Sequence, residues 1–555
     1  MLQLQRLLLL VANSAATCTK PSTQPTAILS SGPIQGISTT LANASLSVNK
    51  FLGVPYAAPP VRFALPEPPQ PWTRPLNATD FGPACLQSYV FAPLSVDAAV
   101  VQQLFNNPPV PESEDCLTLN VFAPATESST PRAVVVFVPG GGWQIGSGRS
   151  DLSAFAAYED IIAVTLNYRT NIFGFPPSPE IPITERNLGL YDQRLALDWV
   201  QQNIASFGGD PSQVTIWGES AGAWSIDYHL KSFVDPPRPF RAAILSSGQT
   251  SFGISAAMFP SDGATWSTVA AAVGCADNQT TTTTVPALGN FAFTSGTAND
   301  VLDCMRQIPA QAILDALNVN GAIFGPQRDN ITVVSQPAER WRTGHVAKVP
   351  ILTGTVQDEG RALLSDRIVL ASFVEAYFPP AFVPQATRDA ILATYRADPR
   401  LVTEFDVAAA IYTDYVWQCP QAIHAQTAAS IDIPTWRYRF NASVLEFLPD
   451  ELDYLGKFHA SDIVLLFSNP ATAPFTAQSY AVYEYFRGAI ARFVKNPMSG
   501  PGWAAVGSGF APLDAVVIGD VGDVPTVVAP YDTTLLDERC SLYRGLYPIL
   551  GAALG

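Results

Sequence analysis

The chain has 555 residues, 48% of them hydrophobic and 14% charged. That balance describes a globular protein with a large core and excludes a disordered chain. A net charge of −16 argues against nucleic acid and anionic membrane surfaces as partners.

At the N-terminus, Arg6 precedes the apolar run 7–12 and the small residues Ser14, Ala15 and Ala16. This reads as a signal peptide, residues 1–16, which would make the protein secreted and extracellular. The run is too short to span a bilayer, no second candidate span follows, and no stable membrane insertion is expected. Residues 17–555 then form one large domain, since the 48 prolines are spread through loops and mark no linker. Asn-x-Ser/Thr sequons at Asn43, Asn77, Asn278, Asn330 and Asn441 are candidate glycan sites in a secreted chain. Of seven cysteines, Cys18 lies at the cleavage zone. The other six, Cys85, Cys116, Cys275, Cys304, Cys419 and Cys540, suit three disulfides in an oxidising compartment, with connectivity left open. Cysteine and histidine spacing suggests no metal site.

Short β-branched runs at 133–138, 161–167, 214–217, 242–245 and 349–353 read as buried parallel strands. Leu197, Val200, Ile204 and Phe207 share helical spacing, in a helix ended by Gly208-Gly209. Residues 255–340 are poorer in strand signal, and 365–430 look helical. Alternating strands and helices predict an α/β fold with ligands beyond the carboxyl ends of the strands.

The chemistry centres on Gly218-Glu219-Ser220-Ala221-Gly222. A strand precedes this Gly-x-Ser-x-Gly and an alanine-rich helix follows, the layout of a nucleophile elbow. Gly218 and Gly222 give a strained turn its room. A serine hydroxyl needs a base, and the base an acid to orient it. Only four histidines exist: His229, His345, His424 and His459. His229 follows the elbow too closely. The others lie after the serine, and His459, in a late loop, is one of three that stay open. Asp358 and Glu359, after a strand, both suit the acid on chemistry alone. Pro139-Gly140-Gly141-Gly142-Trp143 follows a strand and can turn backbone N–H groups toward an oxyanion, together with that of Ala221.

With these pieces the chain resembles the type-B carboxylesterase/lipase family, which includes cholinesterases and secreted fungal members. The stretches 187–193, 207–211 and 214–222, together with Glu114-Asp115-Cys116-Leu117 and Asn120-Val121, carry the likeness, which runs from about residue 25 to the end. It implies an α/β-hydrolase fold, a central mostly parallel sheet flanked by helices, with helical insertions. It also implies a secreted carboxylic-ester hydrolase without cofactor, working through Ser220, His459 and Glu359 and an acyl-enzyme. The family's glutamate selects Glu359 over Asp358, and its Gly-x-x-His segment selects His459. Oxyanion donors map onto Gly141, Gly142 and Ala221. Disulfides map onto Cys85–Cys116, Cys275–Cys304 and, in the cholinesterase branch, Cys419–Cys540. Two departures are Pro139, where the family often has His or Tyr, and Ala460, where it has Gly.

No tryptophan lies between Cys85 and Cys116, which speaks against choline esters. Val96, Val100, Val101, Leu104 and Phe105 share helical spacing behind Ser95 as a cap, so residues 86–115 are a candidate mobile lid. Trp143 and Trp224 flank the glycines and the elbow and are candidates to line the pocket. A lidded lipase or sterol esterase touching a lipid interface is the alternative. A non-catalytic adhesion module on this fold is the remote one, since such relatives usually lose a member of the triad.

Overall fold

A computed structural model describes residues 24–91, 95–253, 263–275, 301–468, 470, 472–509, 511–522 and 524–554, with short pieces at 283–284 and 292–293. The expected signal peptide, Cys18 and Asn278 lie outside the described residues. Eleven strands form one sheet: β1 (Ile37–Thr40), β2 (Ser47–Pro55), β3 (Thr118–Pro124), β4 (Arg132–Val138), β5 (Ile162–Leu166), β6 (Gly209–Glu219), β7 (Ala242–Ser246), β8 (Ile351–Val356), β9 (Thr435–Asn441), β10 (Ala515–Gly519) and β11 (Val528–Tyr531). Their order is β11-β10-β9-β8-β7-β6-β4-β5-β3-β2-β1. The pairs from β5 through β4, β6, β7, β8 and β9 to β10 are parallel, and the outer pairs are antiparallel. This is an α/β-hydrolase sheet.

The alternation of side chains along a strand explains why the central strands are apolar throughout. Val134, Val136 and Val138 of β4 join one core cluster, and Ala133, Val135 and Phe137 join another on the opposite face. The expected strands are all present. β6 begins five residues earlier than its apolar run, and β1, β2, β3, β9, β10 and β11 were not foreseen. The helix α2 (Leu188–Asn203) tightens into a 3-10 turn at Ile204–Phe207 and stops at Gly208, whose φ of 82° suits glycine. The region 365–430 is helical as expected, but one turn of it, Thr413–Gln418, is a π-helix.

Disulfides join Cys85 to Cys116, Cys275 to Cys304 and Cys419 to Cys540. Asn43, Asn77 and Asn330 are exposed. Asn441 is half-buried in β9 and its amide donates to the Asp520 carbonyl at 2.7 Å. Among the described residues no helix is long and apolar enough to cross a membrane, and no His/Cys/Asp/Glu group could hold a metal.

Candidate active site

Ser220 sits between the end of β6 and α3 (Ala221–Ser232), with φ 54° and ψ −123°. A non-glycine residue there is strained, and such strain persists only where its surroundings enforce it. The enforcement is visible. A Cβ on Gly218 would lie 2.3 Å from the Gly222 carbonyl carbon, and one on Gly222 would lie 2.1 Å from the Val138 oxygen. β4 and β6 therefore run close enough that only glycine fits at either end of the elbow. The Ser220 N–H donates to the Ser246 carbonyl at 3.0 Å, fixing the turn against β7.

The glycine loop after β4 lies against the elbow: a Cβ on Gly140 would come within 2.9 Å of Ser220 Cβ. Gly141 and Gly142 take φ 107° and 60°. Among the described residues, the N–H groups of Gly141, Gly142 and Ala221 donate no hydrogen bond. The Ala221 N–H is one of the free donors that begin any helix. Pro139 costs the loop no donor of this set, and its carbonyl accepts from Tyr168 Oη at 2.9 Å.

Glu359 opens a short turn after β8 and is fully buried. Its Oε1 accepts from the Val356 N–H at 2.9 Å, and its Oε2 meets His459 Nδ1 at 2.5 Å. Asp358, the other candidate acid, faces away. Its Oδ2 accepts from the Lys457 N–H, and its own N–H donates to the Lys457 carbonyl, both at 2.9 Å. The result is a parallel bridge between Asp358 and Phe458 that holds the glutamate loop against the histidine loop. Ala460, just after His459, has φ 70°, which accounts for the glycine common at that place in the family.

The other histidines are elsewhere. His229 Nε2 bonds Gln193 Oε1 at 2.9 Å, and burial lowers its pKa to about 3. His424 is buried beside Asp227, with burial the main cause of a pKa near 4. His345 is exposed.

Two carboxyls that the sequence left without a role face His459. Glu219 Oε1 lies 3.2 Å from His459 Nε2, and Nε2 has no hydrogen-bond partner. Among the described residues Ser220 Oγ makes no hydrogen bond, so serine and histidine share the cavity without being bonded. Such contacts are often loose in the absence of substrate. Burial pushes Glu219 up to about 8, with Asp462 and Glu359 adding to it. Asp462, bonded to Tyr438 Oη at 3.1 Å, is likewise raised by burial, to about 7. Burial opposes charge on His459, but Glu219 and then Glu359 outweigh it and raise the imidazole to about 9.

Ser220 and His459 open on a cavity of about 610 Å³. Trp417, on the π-helix, packs 4.5 Å from the His459 ring and stacks on Trp224 at 5.3 Å and 5°. Trp224 lines the cavity. Trp143 does not; it is buried against Trp224 and Tyr228, with Nε1 donating to Ser225 Oγ at 3.0 Å. Its expected place in the pocket is corrected to a place in the core behind it. The helix α1 (Ala98–Phe105) contributes Val101, Leu104 and Phe105 to the cavity wall. Its N-cap is Asp97, which accepts from the Ala99 N–H at 2.9 Å, and not Ser95, which forms a bridge with Leu364.

A nucleophile elbow at the carboxyl edge of this sheet, facing a carboxylate-bound histidine, defines an α/β hydrolase. Comparison with known proteins narrows the class. The model of the carboxylesterase family matches residues 23–508, and the chain belongs to that family and is a carboxylic ester hydrolase. It is 30% identical to lipase 4 of Diutina rugosa, over 79% of this chain and 82% of the lipase. With secreted lipase 1 of Botryotinia fuckeliana it shares 31%, over 81% and 82% of the two chains. Chlorogenic acid esterase of Aspergillus niger is 30% identical over 90% of this chain and 89% of its own.

Proposed function

We propose that the protein is a secreted serine esterase in which Ser220 is the nucleophile, His459 the base and Glu359 the residue that orients it. The contact that carries this reading is the 2.5 Å bond between His459 Nδ1 and Glu359 Oε2, in the wall that also holds Ser220. Ser220 Oγ attacks the ester carbonyl carbon while His459 Nε2 takes its proton. The N–H groups of Gly141, Gly142 and Ala221 receive the oxyanion. The alcohol leaves with the proton returned by His459. One water, deprotonated by the same nitrogen, then hydrolyses the acyl-serine, releases the acid and restores the serine.

Ser220→Ala should lower ester hydrolysis by roughly 10³-fold or more. Near-normal turnover in that variant would falsify the assignment. Three disulfides and the secreted relative support an extracellular site of action. Removal of residues 1–16, leaving 17–555 as one domain, is part of the proposal and is read by N-terminal sequencing of the exported protein.

A second reading, a lidded lipase, is favoured by one observation. Val96 and Val101 form a small cluster with Ile145 that is separate from the two main cores. The described parts of the segment, 86–91 and 95–115, rest on Ile145 through this cluster and on the main cores through Leu86, Val100 and Leu104, and Cys85–Cys116 ties the base. A rate that jumps as an ester crosses its solubility limit supports opening at an interface; a smooth saturation curve leaves the esterase on dissolved substrates.

A further inference from the structure

Among the described residues that line the cavity, Arg149 is the only lysine or arginine, and Glu219, raised to about 8 by burial, is the only carboxylic acid. Glu219 faces His459 at 3.2 Å, which leaves Arg149 without an acid of its own in a protein whose net charge is −16. The guanidinium is held but not neutralised. Its Nη1 donates to the carbonyls of Phe81 and Gly82 at 3.2 and 2.7 Å, and its carbon lies 5.5 Å over the Phe81 ring. Among the described residues Arg149 makes no ion pair, and Nε and Nη2 make no hydrogen bond. Neighbouring arginines are treated differently: Arg169, for example, is bonded to Asp192 at 2.7 Å. A fixed, unpaired guanidinium in a partly desolvated wall is a ready partner for a carboxylate, because bonds to charged groups strengthen as water is excluded.

The side of the cavity follows from the chemistry. His459 must return its proton to the leaving oxygen, so the alcohol part lies on the side of His459 and the helix α4 (Ser461–Phe467) that follows it. Ile463, Val464 and Phe467 of α4 line the cavity and pack on the same core cluster as Phe81. Arg149 sits over Phe81. Trp224 and Trp417 belong to the other cluster, and Trp417 packs on the His459 ring. Ser147, Ser150 and Asn107 lie with Arg149 along the lining and add neutral donors.

We propose that the enzyme selects esters whose alcohol part carries a carboxylate, and that Arg149 is the residue that selects them. This rests on the ester-hydrolase reading above and adds a substrate class to it. The test uses two esters of one acyl group, 4-(butyryloxy)benzoate and its methyl ester, whose alcohol parts differ in charge; their other differences cancel when the ratio is compared between native and variant enzymes. In Arg149→Met the ratio of kcat/KM, charged over neutral, should fall roughly tenfold or more, the loss expected for one bond to a charged group. Arg149→Lys should keep part of the ratio. The product 4-hydroxybenzoate should inhibit the native enzyme on p-nitrophenyl butyrate more strongly than methyl 4-hydroxybenzoate does, and the difference should vanish in Arg149→Met. A ratio unchanged in Arg149→Met, or both rates falling in step, overturns the proposal. Loss of both activities in Ser220→Ala is separate: it tests the esterase reading, which stands even if the charge preference does not.

Discussion

Replacing Glu219 by Gln should move the acid limb of the activity profile to lower pH. In the proposed mechanism His459 acts as a base only when neutral. The carboxyls of Glu219 and Glu359 favour its charged form and raise it to about 9, so kcat/KM should fall as pH drops through a value well above the ordinary 6.5. Glu219 Oε1 is 3.2 Å from Nε2. Coulomb's law at an effective dielectric near 20 gives about 5 kcal/mol for two full charges at that distance. Burial keeps Glu219 partly protonated, which reduces the interaction. A quarter of it still amounts to about one pH unit, at 1.36 kcal/mol per unit. The assay is kcat/KM for p-nitrophenyl butyrate from pH 5 to 10, with native and Glu219→Gln enzymes side by side. An acid limb that stays in place, or that moves to higher pH, would refute the view that Glu219 is the main source of the raised histidine.

Glu359→Gln should lower kcat by about 10³- to 10⁴-fold, as loss of the orienting acid does in other triads, and single-turnover kinetics would show whether the acylation step carries the loss. Gly222→Ala places a Cβ 2.1 Å from the Val138 oxygen; overpacking of that kind costs about 1–3 kcal/mol or more, read as a lower Tm together with lost activity. Asp192→Asn removes the carboxylate that holds buried Arg169 by its backbone and guanidinium, and should cost about 3–5 kcal/mol in denaturant unfolding. Replacing both Cys419 and Cys540 by Ala opens a loop of 121 residues, for which loop entropy predicts a loss of about 4–5 kcal/mol.

The elbow was legible because its glycines are a steric requirement written at fixed spacing: 218 and 222 touch backbone on both sides of Ser220. The apolar strands were legible for the same kind of reason, being buried on both faces. The acid was not separable from its neighbour by chemistry. Asp358 and Glu359 are adjacent, and only the turn after β8 sends one toward His459 and the other toward Lys457. Trp143 and Trp224 were equal candidates by position. Which one reaches the cavity depends on how the glycine loop folds back over α3, information that lies in tertiary contacts. Trp417 left no signal, since its direction is set by a π turn within a helical stretch. Glu219 and Asp462 were visible as letters beside Ser220 and His459, and a search for buried acids next to a candidate base could have found them.

The disulfide between Cys419 and Cys540 links the cover over His459 to the redox state of the chain. Cys419 immediately follows the turn that carries Trp417 over His459, and its partner comes 121 residues later. The ring above the histidine is therefore anchored to a distant part of the chain by a bond that forms only once an oxidant has been met. A reduced chain would hold its histidine under an unanchored cover.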